Sequence, residues 1–359
     1  MSNLSDFLGS GISTVSDLSN VTVSASDPET DTNPTAVGGL WLNKTSGEMY
    51  TCTDATAGSN IWTNVGDGDG KISALRGVFG GGYDGARLNV IDYITIATAG
   101  NATDFGDLTA SKHSSASCSD ATRGVFGGGN ASGDTNVVDY ITISTTGNAT
   151  DFGDLTLARY KLAACADATR GVFGGGYGGG QINILDYITI QTTGNATDFG
   201  DLTLGRNALA ACADATRGVF GGGNYGLDSN TLDYITIATT GNAADFGDRT
   251  IDIADLSACA DATRGVFGGG SASSYSTILD YITIQTTGNA TDFGDLTVAR
   301  NGLAACADAT RGVFGGGYAG SGVGRLNTLD YITIATTGNA TDFGDLTLAR
   351  NSLAACSGN

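Results

Sequence analysis

From residue 76 onward the apolar positions fall into short runs separated by Asp, Thr, Gly and Asn, the spacing of strands and tight turns rather than of helices. In one stretch the runs read KLAACA, RGVFGG, ILDYITI and NATDFGDL, with DAT joining the first two and TTGN the last two. Asp, Thr, Gly and Asn bond their own backbone or tolerate left-handed geometry, so each junction predicts a turn and each run a strand. The four runs recur. RGVFGGG begins at Arg76, Arg123, Arg170, Arg217, Arg264 and Arg311, a constant step of 47 residues. The aspartate before YITI stands at Asp92, Asp139, Asp186, Asp233, Asp280 and Asp330, so only the last step is longer, by 3 residues. A repeat of this length predicts a closed array or a solenoid, and four strands per unit match one propeller blade.

Twelve of the 13 phenylalanines occupy two repeat positions, exemplified by Phe173 and Phe199, and these predict the core. The LAAC run offers only small side chains, which suit an innermost strand where blades converge. Its cysteines, Cys118, Cys165, Cys212, Cys259, Cys306 and Cys356, are read as small buried hydrophobes, because no CxxC or Cys/His cluster accompanies them. Cys52 stands apart from this set. No good LAAC run precedes Arg76, whereas RNSLAACSGN follows the last DFGD. The C-terminal run is therefore expected to complete the first blade, leaving no free edge. The fold class that follows is all-β: a six-bladed β-propeller over 76–359 closed by its C-terminal strand.

Several of these residues resemble the kelch repeat: a glycine pair ending the second strand, a tyrosine in the third, and an arginine before the first, as at Arg159, Arg206, Arg300 and Arg350. The resemblance covers residues 71–359. It departs from that family where phenylalanine of DFGD replaces the usual tryptophan, and in the uniformity of the units. Because the family includes enzymes and binding modules alike, the resemblance implies a kelch-like fold and no particular activity.

Residues 1–35 are rich in Ser, Thr, Asp and Asn and contain both prolines, which predicts an extended arm. Residues 36–66 alternate aromatic and polar positions around NKTSGE, predicting a small β module. Residues 67–75 are read as a linker and entry strand, with GDGDG at its start. The stretch carrying Leu40, Trp41, Asn43, Gly47, Tyr50 and Trp62 resembles the GDLWxNTxTGxLYxYxxxxW segments of phage tail fibres and other virion appendages. LSDFLG and VSDLSNVTVS look similar to such proteins too, and the RGVFGGG…DYITI array resembles repeats in marine phage virion proteins, pointing to a marine phage or cyanophage. This likeness implies attachment to other virion proteins through residues 1–66, with Trp41, Tyr50 and Trp62 in the attachment module.

The repeats differ mainly in two connections, between RGVFGGG and DYITI and between DFGD and LAAC. In a four-stranded blade these emerge on one face, and the uniform DAT and TTGN turns on the other. The chain enters the array in a DAT-type turn, so the N-terminal region is expected to join the uniform face. Six of the seven tyrosines outside DYITI lie in the variable connections: Tyr83, Tyr160, Tyr177, Tyr225, Tyr275 and Tyr318. Arg87 and Arg325 lie there as well. Tyrosine among Asn, Ser and Gly gives large amphipathic contact area at low entropic cost, and rigid scaffolds commonly carry recognition on loops. These eight residues are the candidate receptor-binding set.

The net charge of -20, with four lysines, disfavours nucleic acid and anionic membrane as partners. No apolar run predicts membrane insertion, and no secretory signal is read in the opening residues. DFG lacks the other kinase motifs, and GGG lacks the GK(S/T) of a phosphate loop. Beyond residue 70 there is no glutamate and one histidine, His113, read as a solvated loop residue. Pairs such as Asp104 with Asp107 and Asp151 with Asp154 lack a calcium-loop pattern and are read as carboxylates satisfying turn amides. Scattered Asp84, Asp134, Asp228, Asp252 and Asp255 make a weak case for glycosidase chemistry. No cofactor and no metal is expected. The resulting expectation is a non-enzymatic virion appendage, homo-oligomeric in the particle, whose variable face meets a host-surface glycan or protein. A structural capsid or tail decoration or connector, and a polysaccharide-degrading tailspike, are the rival readings.

Overall fold

The computed structural model describes residues 21–24, 26, 28, 37–43, 49–57, 61–64 and 75–358. The chain divides into two compact units, Met1–Ala74 and Leu75–Asn359, and every described regular element is a strand. The GDGDG stretch, LSDFLG and the turn residues 44–48 lie outside the described residues.

In the first unit Leu40–Asn43, Met49–Asp54 and Ile61–Asn64 form an antiparallel meander, and Val21–Ser24 adds to it in parallel beside Leu40–Asn43. VTVS is a β-branched stretch suited to a pleated edge, so this sheet begins within the residues assigned above to an extended arm. Trp41 and Trp62 meet edge to face at 5.9 Å, and the Trp41 indole donates to Ser26 O at 2.8 Å. Tyr50 pairs with Trp41 on one side and Asn64 on the other, while Cys52 is buried.

The second unit contains six four-stranded antiparallel sheets and has a β-propeller-like fold. Each sheet runs LAAC strand, RGVFG strand, DYIT strand, TDFGD strand, as in Ala163–Ala166, Arg170–Gly174, Ile184–Thr189 and Thr197–Asp201. The sheet carrying Arg76–Gly80 takes its LAAC strand from Ala354–Ser357, with Ala355 opposite Phe79 and Cys356 opposite Val78. LAAC strands of successive sheets pack on one another, and Ala354–Ser357 packs on both Ala116–Ser119 and Ala304–Ala307.

Two close approaches explain why the units are so uniform. Gly171 of RGVFG lies over the Cys118 sulfur of the adjacent sheet, where an added Cβ would sit 2.5 Å from Sγ. The LAAC cysteines are all free and buried, filling that inner layer. The second is a bulge: pairing between the DYIT and TDFGD strands skips Phe199, and Gly200 adopts φ 145°, where a Cβ would collide with the carbonyl of Gly241 in the next sheet. DFG is thus a bulge that lets one sheet seat against its neighbour.

Polar side chains tie the sheets together. The Arg170 guanidinium lies 4.4 Å over the Tyr187 ring and donates to Ile237 O of the next sheet at 3.0 Å. The same bond recurs from Arg76 to Ile143, Arg123 to Ile190, Arg217 to Ile284, Arg264 to Ile334 and Arg311 to Ile96. Asn195 Oδ1 accepts from the Asp154 N–H at 3.1 Å, and Asn242 and Asn339 do the same for Asp201 and Asp295. Turn amides in the DAT segments are satisfied by those segments' own aspartates: Asp167 Oδ1 accepts from the N–H groups of Thr169 and Arg170 at 2.7 Å. The turn-amide role expected of the TDFGD carboxylates therefore belongs to the DAT aspartates and the TTGN asparagines.

Buried ion pairs lie between the sheets. Arg159 meets Asp186 at 3.0 Å, Arg206 meets Asp233 at 2.8 Å, Arg300 meets Asp330 at 2.9 Å and Arg350 meets Asp92 at 3.1 Å. Lys112 with Asp139, and Arg249 with Asp280, complete the set. A threonine from the preceding sheet's final turn also bonds each aspartate, as Thr156 Oγ1 does to Asp186 at 2.6 Å. A charge buried this deeply requires both its counter-ion and its hydrogen bonds.

Candidate functional site

The irregular connections converge on one face. The residue three places before each LAAC-type strand bridges the loop that follows RGVFGGG: Tyr160 with Tyr177, His113 with Asn130, Tyr83 with Asn351 and Asn301 with Tyr318. At the centre, Ser114, Lys161, Ala208, Asp255, Gly302 and Ser352 all adopt left-handed backbone, with φ from 53° to 60°. They bond one another in sequence around a collar. Lys161 N donates to Ser114 O, Ala208 N to Lys161 O, Asp255 N to Ala208 O, Gly302 N to Asp255 O, Ser352 N to Gly302 O and Ser114 N to Ser352 O, at 2.6–2.8 Å. A left-handed non-glycine residue is uncommon, and here the bonds hold five of them in place. Above the collar Lys161 Nζ lies 2.8 Å from Asp255 Oδ1, passing over Ala208 from the third sheet to the fifth. Beneath it the LAAC strands enclose a cavity of about 120 Å³ lined by small side chains such as Ala164 and Ala211.

The candidate receptor-binding residues separate into two groups. Tyr225 is 44% exposed and Tyr275 36%, and Leu227 and Val323, on the loops of the fourth and sixth sheets, are 68% and 66% exposed. Tyr275 also packs edge to face on Tyr318 at 5.8 Å. Tyr83, Tyr160, Tyr177 and Tyr318 are half-buried, and Tyr160 and Tyr177 form a second edge-to-face pair at 5.7 Å. These rings therefore both wall the loops and present an edge to solvent.

Around Tyr83 the loops of the first three sheets form a separate depression of about 550 Å³. Arg87 is exposed and donates from Nε and Nη2 to Asn130 Oδ1, at 3.2 and 3.0 Å. Arg325 stacks its guanidinium 4.8 Å over the Tyr83 ring and donates from Nε to Asn351 Oδ1. His113 is half-buried rather than solvated: its ring meets Tyr83 edge-on at 5.6 Å, and Nδ1 lies 2.9 Å from Ser114 Oγ. Burial lowers its pKa, and the positive charges of Arg87 and Lys161 lower it further. The chemistry on offer is stacking, hydrogen bonding and fixed positive charge.

His113, Lys161 and Asp255 lie in connections expected on this face but were not in the candidate receptor-binding set, since their sequence shows variation without showing which loops meet. Their place is decided by the collar, which joins residues from all six sheets. Among the described residues no group of three or more His, Cys, Asp or Glu side chains is arranged to hold a metal ion. In the first unit Trp41, Tyr50 and Trp62 share one sheet, with the two tryptophans in contact.

No protein-family model matches the chain, and no curated protein matches it.

Proposed function

We propose that residues 76–359 are a closed six-bladed kelch-like propeller, and that the chain is a non-enzymatic phage virion appendage of tail-fibre or receptor-binding type. It docks through residues 1–66 and turns its irregular face to a host-surface receptor. Closure is supported by the pairing of Ala354–Ser357 with Arg76–Gly80, by the Arg350–Asp92 ion pair, by the Arg311 bond to Ile96 O and by the Ser114–Ser352 bond of the collar. The virion reading rests on the resemblance of the Trp41–Trp62 stretch to tail-fibre segments.

One observation carries the recognition reading: aromatic and cationic side chains that no repeated structural role uses are segregated onto one face. Among the described residues, six arginines serve the RGVFG carbonyl bonds, and five arginines with Lys112 serve the buried aspartates. Arg87, Lys161, Arg325 and His113 remain, and all four lie beside the loop tyrosines. A scaffold uniform everywhere except in such loops is the arrangement of a binding surface.

Competition tests this reading. Purified full chain, added in excess to host cells, should reduce adsorption of the particle that carries it. Unchanged adsorption at saturating chain would contradict it.

A further inference from the structure

We propose that the depression walled by Tyr83 and Tyr160 is a binding site for an acidic saccharide, with Arg87 as its anion-holding group. The proposal rests on the receptor-face reading and names the ligand class of that face.

The charge distribution comes first. The chain carries a net charge of -20, yet no carboxylate is among the residues lining this depression, while Arg87, Lys161 and His113 all are. The nearest acids are engaged by neighbours: Asp255 holds Lys161 at 2.8 Å, Asp84 Oδ1 accepts from the Ala86 N–H and Asp134 Oδ1 accepts from Asn130 Nδ2. Arg87 thus stands in the lining as a cation without an ion-pair partner among the described residues, and an unpaired guanidinium in a carboxylate-free lining favours an anion there.

Shape and wall chemistry select the rest of the ligand. A volume of about 550 Å³ is within the range of small-ligand sites and is far larger than a single inorganic anion needs. Tyr83 is held from behind by the Arg325 guanidinium, and Tyr160 by the Tyr177 ring, so both are fixed amphipathic surfaces. Such rings accept the C–H face of a sugar, and Asn351 and Ser352 supply amide and hydroxyl partners for its hydroxyls. Arg87 is already oriented by two bonds to Asn130, which lowers the entropy lost on binding.

The experiment is calorimetric titration of the full chain with galacturonate trimer and sialyllactose, with the neutral methyl ester of each, and with inorganic phosphate. The expected result is saturable binding of at least one acid, at least tenfold weaker binding of its ester, and at least tenfold loss in Arg87→Gln. Arg87→Lys should recover part of that loss, and unchanged thermal unfolding of both variants will exclude a folding defect. Equal binding of acid and ester would overturn the anionic part, and phosphate binding as tightly as the acid would overturn the saccharide part. Binding of neither acid, in a chain that still competes for particle adsorption, would overturn this proposal and leave the receptor face standing. Binding of an acid by a chain that does not compete would uphold the site and remove the receptor reading.

Discussion

Arg249 Nη2 lies 2.9 Å from Asp280 Oδ2, although residue 249 occupies the position that holds leucine in the other units, as at Leu155, Leu202 and Leu346. Four residues later Ile253, fully buried, stands where those units carry Arg159, Arg206 and Arg350. Apolar and cationic side chains have exchanged places, and the guanidinium reaches the same aspartate from the other position. Retention of the pair through the exchange identifies the pair itself, not either position, as what the sheet junction requires.

Arg249→Leu alone should cost about 3–5 kcal/mol, because it leaves Asp280 buried and uncompensated. Adding Ile253→Arg restores the arrangement of the other units and should recover most of that loss. Urea denaturation of the two variants checks this through the coupling between the substitutions. Equal stability of the single and double variants would contradict it.

Deleting residues 351–359 removes the Ala354–Ser357 strand and Ser352 of the collar and exposes the edge at Arg76–Gly80. A loss of several kcal/mol in a domain of this size corresponds to a fall in Tm of roughly 10 °C or more. Differential scanning calorimetry of the shortened chain measures it, and an unchanged Tm would mean that the end strand does not hold the ring.

Alkaline pH should weaken the fold through the buried thiols. Burial pushes the Cys356 thiol up to about 12 and raises Cys118, Cys165, Cys212, Cys259 and Cys306 above their ordinary value. In the unfolded chain these thiols ionise near about 8.5. The native state therefore binds more protons above that pH, so stability is fully present below about 8.5 and declines as pH rises toward about 12. Each thiol contributes up to about 1.4 kcal/mol per pH unit in this window. Cys356→Ala should flatten the decline measured by denaturation at a series of pH values, and an unchanged slope would contradict burial as its cause.

Removing residues 1–65 should leave the second unit folded, since the units divide at Ala74, while abolishing incorporation into particles. Immunoblotting of purified particles provides the measurement, and normal incorporation would assign anchoring to the propeller itself.

The strands and the core were legible because each unit repeats the same turns and phenylalanines, so six copies reinforce a pattern that one would leave ambiguous. The missing first LAAC strand and the spare one after residue 350 also pointed to the pairing of Ala354–Ser357 with Arg76–Gly80. The buried ion pairs were half legible: the arginine before LAAC was visible, but its partner, the aspartate of DYIT, sits 27 residues further on at Asp186 in an apolar run. The TTGN run read as a turn, but that its asparagine Asn195 bonds the Asp154 amide of the neighbouring sheet was not legible. Tyr83, Arg87 and Tyr160 were visible as irregular residues. Their assembly with His113 and Lys161 was not, because it depends on the collar and on loops from separate sheets.

Particle adsorption with paired face variants tests the central claim most directly. Tyr225→Ala with Tyr275→Ala removes exposed rings from the irregular face, whereas Thr193→Lys with Thr240→Lys alters exposed residues in the TTGN turns, beyond the opposite strand ends. Loss of contacts of order 1 kcal/mol each predicts that the tyrosine pair lowers adsorption about tenfold or more while the threonine pair leaves it unchanged. Normal adsorption by a folded tyrosine variant, with loss in the threonine variant, would contradict the assignment of the irregular face as the one that recognises the host.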